Sequence, residues 1–281
     1  MAAETYITTP DGVRLRYWQE GPAGAPNLVF LAGWVQTAAQ FVKQVEHFKK
    51  NYRVTTYDHR GHGDSDKPAY GYRMYRLAAD LEALLAQLDL QDVTLVGHSM
   101  GASVTWAHWD VFPHDRIAKL VFVDQARTLT FNPAWTEQEK ADAGAVFSPE
   151  VLFDTVNALR GPQGKEIWTA TARQFFTPGV DPKVFEWALQ NSMKSPPEVA
   201  AAMMLDHASM DWGDVFPRIT VPVLVVGAKC SLMPPAAMEW IVKQVPNSRL
   251  VTFEKEERGS HFMFIENPDK FNRMLEDFLA E

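Results

Sequence analysis

One stretch constrains the chain more than any other: Val93-Thr-Leu-Val-Gly97-His98-Ser99-Met100-Gly101, followed by Ala102 to His108. The β-branched, uncharged run reads as a buried strand, and the small-residue segment after it opens a helix. Between them lies Gly-x-Ser-x-Gly, the pattern of a nucleophile elbow. In such a turn the serine backbone is strained and its hydroxyl is pushed clear of the sheet, while the flanking glycines remove side chains that would collide. Ser99 is therefore the candidate nucleophile.

The rest of the chain alternates around this unit. Tyr6–Thr9 and Val13–Trp18 flank Pro10-Asp11-Gly12 as a hairpin, and Asn27–Leu31 is a continuous apolar strand. Phe41–Lys50 follows as an amphipathic helix, Tyr52–Tyr57 as a strand, Met74–Leu88 as a helix, and Ile117–Val123 as a buried strand ending in Asp124. Strands alternating with helices imply a mostly parallel, doubly wound α/β sheet. Residues 129–216 break the pattern: they are rich in Trp, Phe, Met and Ala at helical spacing and read as an inserted helical cap. Buried strands resume at Val221–Gly227 and Arg249–Phe253, and a helix closes the chain from Asn267 to Leu279. The expected division is 1–128 and 217–281 for the two parts of the core, with 129–216 between them.

Composition narrows the function classes. A net charge of −8 without a basic stripe argues against nucleic acid or an anionic membrane surface as partner. The single cysteine, Cys230, leaves no internal disulfide or cysteine-based metal cluster, and is read as a small buried residue in a reducing compartment. No leader-like start and no run of about 18 apolar residues appears, so a cytoplasmic location without membrane attachment is expected. Metal-ligand spacings, a dinucleotide glycine motif and a phosphate loop are all missing, which implies chemistry without metal or cofactor.

A serine hydroxyl needs a base, and the base needs a group to hold its ring. His261, in Arg258-Gly-Ser-His261-Phe262, is the last histidine and follows the last strand. The alternating core, the elbow, Asp58-His-Arg-Gly-His-Gly-Asp-Ser65 and this late histidine together resemble the α/β-hydrolase superfamily along essentially the whole chain. The resemblance implies that His261 is the general base and that the backbone N–H groups of Trp34 and Met100 form an oxyanion hole. It also implies that segment 129–216 occupies the position of the family's variable cap.

The acid departs from the commoner pattern, since Gly227-Ala-Lys-Cys230 places cysteine where an aspartate usually stands. A neutral thiol cannot stabilise an imidazolium, whereas Asp124, at the end of the preceding strand, can; some superfamily members supply their acid from that position. Asp206 and Asp211 are weaker candidates. The Asp58–Ser65 loop reads as a turn scaffold. Gln36, His98, Trp135 and Trp187 are expected at the substrate, and the aromatic cap implies a small, largely apolar molecule. Two activities follow from resemblance. One is hydrolysis of a carboxylic ester or lactone through a Ser99 acyl-enzyme. The other draws on the Gly33-Trp34 pair, His98 beside the serine, and Asp124: these resemble cofactor-free dioxygenases that cleave 3-hydroxy-4-quinolones, in which the His/Asp pair deprotonates the substrate.

Overall fold

The computed structural model describes residues 5–281. Strands β1 (Tyr6–Thr8) and β2 (Arg14–Glu20) form the expected hairpin, and β3 (Asn27–Leu31) follows. The segment expected as one helix from Phe41 begins instead as a 3-10 turn, Ala38–Phe41, and continues as α1 (Val42–Phe48). Next come β4 (Arg53–Tyr57), α2 (Met74–Gln87), β5 (Val93–His98), α3 (Met100–Val111) and β6 (Ile117–Val123). Five helices then interrupt the alternation: α4 (Glu137–Ala143), α5 (Pro149–Arg160), α6 (Gly164–Gln174), α7 (Pro182–Ser192) and α8 (Pro197–Ser209). The alternation returns with β7 (Val223–Ala228), α9 (Pro235–Gln244), β8 (Ser248–Phe253), the short α10 (Met263–Glu266) and α11 (Pro268–Leu279). Among the described residues no helix is long and apolar enough to cross a membrane.

The eight strands form one sheet in the order β1-β2-β4-β3-β5-β6-β7-β8. From β4 to β8 every neighbouring pair is parallel; only β2 runs against the rest, pairing antiparallel with both β1 and β4. The central strands are apolar at nearly every position because both faces are covered. Their period of two sorts the core: Val29, Leu31, Leu95, Phe122 and Val225 face the cluster built on α2, α3 and α9, whereas Leu28, Phe30, Val96, Val121 and Val226 face α1 and α11. Each such fully buried side chain contributes roughly 1.5–3 kcal/mol.

This sheet places function at one edge. Chain segments leave β3, β5, β6, β7 and β8 at their C-terminal ends, which lie side by side, and in open parallel sheets that is where backbone termini and loops converge on a ligand.

Candidate active site

Ser99 follows β5 directly and precedes α3, with φ 52° and ψ −127°. A non-glycine residue there is strained by an estimated 1–3 kcal/mol and persists only because its surroundings hold it. The surroundings are backbone: Ser99 N–H donates to Val123 C=O at 2.9 Å, and Ala102 N–H to Ser99 C=O at 2.8 Å. A Cβ on Gly97 would stand 2.6 Å from Ala102 N, and one on Gly101 would run into Leu31 C=O, so both flanking positions require glycine.

Asp124 follows β6, the neighbouring strand, and its N–H extends the ladder to Val226 C=O at 2.8 Å. It too has positive φ, 53°, which turns its carboxylate off the sheet edge. His261 follows β8, and its Nδ1–H donates to Asp124 Oδ2 at 2.6 Å; both side chains are buried. The site thus brings Asp124 and His261 together although 137 residues separate them. Ser99 Oγ and the His261 ring share no hydrogen bond; catalytic hydrogen bonds of this kind commonly tighten only in the complex with substrate.

One further contact at Asp124 was not legible in the sequence. The Ser231 hydroxyl, from the loop after β7, donates to the same Oδ2, while Oδ1 is buried without a partner. The loop that carries an aspartate in the commoner family pattern therefore contributes a hydroxyl, one residue beyond Cys230. Cys230 itself is half-buried rather than buried, because its N–H reaches out to Gly259 C=O at 2.7 Å in a surface turn.

Trp34 and Met100 both lie close to Ser99, Met100 as the first residue of α3, and neither N–H donates to another described residue; a Cβ on Gly33, next to Trp34, would lie 2.9 Å from Ser99 Cβ. The Trp34 ring stacks on Trp168 at 5.6 Å, and its indole N–H donates to Ala200 C=O at 2.8 Å, tying the β3–α1 loop to α8. The Asp58–Ser65 loop is indeed a scaffold, and what it supports is this same segment. His62 Nε2 accepts from Val35 N–H at 3.0 Å, Asp58 Oδ1 accepts from Ala38 N–H at 2.8 Å, and His59 Nε2–H donates to Ala32 C=O at 3.0 Å. Burial drives the pKa of His62 down to about 4 and that of His59 to about 3, so both rings are neutral at pH 7.

His98 is locked rather than free to meet a ligand. Its ring lies 2.9 Å from Gln36 Oε1 and 2.8 Å from His261 C=O, and burial together with the nearby His261 ring holds it neutral. Gln36 also accepts from Gly33 N–H at 3.1 Å, yet it lines a cavity with Trp34. That cavity is narrow and only partly enclosed, about 320 Å³ including the space it shares with solvent. Its walls are Trp34, Trp168, Phe175, Phe176, Leu189 and Phe262, and no ionised side chain lines it. It adjoins the site through Phe175, whose ring is 4.8 Å from that of His261.

Two expected substrate residues lie elsewhere. Trp135 sits under the Arg127 guanidinium at 5.3 Å and lines a separate surface hollow with Thr128 and Asp211. Trp187, on α7, is half-buried against the apolar cluster that includes Phe176 and Phe262, but the cavity is lined from this helix by Ala188, Leu189 and Ser192. Asp206 and Asp211 are also occupied elsewhere, accepting from Met74 N–H and pairing with Arg127. One residue not singled out, His207 of α8, is buried near His261, with its pKa pushed down to about 3 and its Nδ1 unpartnered.

A family model for the α/β-hydrolase fold matches residues 26–268. The chain belongs to the α/β-hydrolase family. A bifunctional esterase/perhydrolase of Acinetobacter calcoaceticus is 28% identical over 79% of the chain and 80% of its own length. A 3-oxoadipate enol-lactonase of Acinetobacter baylyi is 26% identical over 95% and 94%. Among solved structures, an esterase from Exiguobacterium antarcticum superposes with a TM-score of 0.89 at 23% identity, covering 99% of this α/β-hydrolase and 100% of that chain, which shows a shared fold.

Proposed function

We propose that this α/β-hydrolase cleaves a carboxylic ester or lactone of a neutral, largely apolar small molecule through a Ser99 acyl-enzyme. The observation that carries the reading is the His261 Nδ1–Asp124 hydrogen bond formed beside the strained elbow that presents Ser99. Similarity to an esterase and an enol-lactonase supports the reaction class.

The chemistry runs as follows. Ser99 Oγ attacks the carbonyl carbon while His261 Nε2 takes its proton, and Asp124 holds the ring and balances the imidazolium. The carbonyl π pair moves to oxygen, which the Trp34 and Met100 N–H groups stabilise. Collapse expels the alkoxide, which takes the proton from His261. Water, deprotonated by the same ring, then attacks the acyl-enzyme and frees Ser99. Helices α4–α8 act as the cap of this site, because α6, α7 and the segment between them supply most of the apolar cavity wall.

The test is turnover of aryl esters, alkyl esters and lactones by the wild type and Ser99→Ala. Loss of about 10⁴-fold in kcat/KM on substitution is expected. Equal rates in both proteins, or oxygen uptake on 3-hydroxy-4-quinolones without any ester turnover, would overturn the acyl-enzyme and favour a His261/Asp124 base acting on substrate directly.

A further inference from the structure

Gln40 lies in the 3-10 turn after the Trp34 loop, and it lines the apolar cavity while only 2% exposed. Its amide oxygen is sealed from solvent without a hydrogen-bond partner, and its amide nitrogen, which is not sealed, donates to no described residue. The contrast with Gln36, four residues earlier, is direct: that amide accepts from Gly33 N–H and meets His98. A buried primary amide has two donors and two acceptor lone pairs, and leaving them unmade is costly whichever way the amide is turned. Apolar packing would be served better by leucine. Ser192, on the α7 side of the cavity, adds a second polar group: its Oγ accepts from Trp168 Nε1–H at 2.8 Å, which leaves its own proton to give.

We propose that Gln40 is the polar end of a substrate subsite, which takes a neutral group able both to donate and to accept hydrogen bonds, an alcohol, phenol or carboxamide, carried on the flat apolar part of the substrate. Flatness follows from the walls. Trp34 stacks on Trp168 and Phe176 on Phe262, so the wall offers flat aromatic faces. Neutrality follows from the lack of any ionised side chain among the lining residues to balance a charge. The inference rests on the proposed hydrolysis for its link to turnover, but binding tests it separately.

The probes are methyl benzoates and methyl 3-arylpropanoates with a para-hydroxyl, para-carboxamide or para-methyl group. In at least one series the wild type is expected to favour the hydroxyl or carboxamide over the methyl ester by about tenfold or more in kcat/KM; whichever of the two is favoured names the group. Gln40→Leu should lower kcat/KM for that polar ester by about 10- to 100-fold and raise it for the methyl ester, inverting the preference. The same esters bound to Ser99→Ala, measured by calorimetry, should show the preference in Kd, and Ser99→Ala/Gln40→Leu should lose it. If no ester is turned over but the calorimetric preference appears and depends on Gln40, the hydrolysis reading falls and the subsite stands. If binding and turnover ignore the para group, or Gln40→Leu changes all three esters alike, Gln40 serves a trapped water only and the proposal is overturned. Unliganded Gln40→Leu should also melt a few degrees higher, since the unpaired amide is gone.

Discussion

At the scale of single residues, the acid shows how a role migrates within a fold. An imidazolium next to Ser99 needs a carboxylate on its far nitrogen, and any strand end that reaches His261 can supply it. In the proposed mechanism Asp124 does so from the end of β6, where its φ is positive, while the Ser231 hydroxyl after β7 and His261 Nδ1–H both donate to its Oδ2. Two donors on one oxygen fix the carboxylate's rotation, the more so because Oδ1 has no partner to anchor it. Ser231→Ala should therefore lower kcat about tenfold with KM little changed, and Ser231→Thr should restore most of the loss. Steady-state kinetics on the three proteins checks this; an equal loss in both variants, or a change confined to KM, would make Ser231 a packing residue.

At the scale of elements, the β3–α1 loop carries the Trp34 N–H and has only a few hydrogen bonds of its own, among them Gln36 N–H to Gly33 C=O and Gly33 N–H to Gln36 Oε1. The loop after β4 holds it through Asp58, His59 and His62. This support is pH-dependent. His62 must be neutral for Nε2 to accept from Val35 N–H, and its folded pKa, about 4, lies below the ordinary 6.5. The unfolded chain therefore binds the proton first as pH falls, so the stabilisation is complete above about pH 6.5, is lost progressively toward pH 4, and levels off below. Between pH 6 and 4.5 the wild type should lose stability more steeply than His62→Gln, by about 1.4 kcal/mol per pH unit. Urea unfolding across that range gives both slopes; parallel slopes would mean that His62 is accessible to protons in the folded state.

At the scale of the whole molecule, helices α4–α8 are inserted in sequence but not separate in packing. Trp168, Val199 and Met203 belong to the same apolar cluster as Leu31 and Phe122 of the sheet, and Phe185 and Ala188 to the same cluster as Phe30 and Val121. Trp34 adds a hydrogen bond to α8. A segment that shares its core with the sheet cannot unfold without exposing it. Urea denaturation should thus show one transition, with far-ultraviolet dichroism and tryptophan fluorescence coinciding. Two separated transitions would mean that residues 129–216 hold their own core.

Local patterns were enough for the α/β-hydrolase fold. Continuous apolar runs, the glycines around Ser99, the helical spacing of α2 and α11, and the order of Ser99 before His261 are properties of neighbouring residues, set by sterics and periodicity. The pairing of Asp124 with His261 was legible for a related reason: a missing carboxylate at position 230 left few alternatives. Rotation about a helix axis, and contacts between segments far apart in the chain, were not legible. That Ala188 and Leu189 line the cavity while Trp187 does not, that Trp135 stacks under Arg127, and that the Gln40 amide oxygen is left without a partner depend on how α6, α7 and the β3–α1 loop come together. Such packing is decided by the summed burial of many side chains at once, and no short stretch of sequence records that sum.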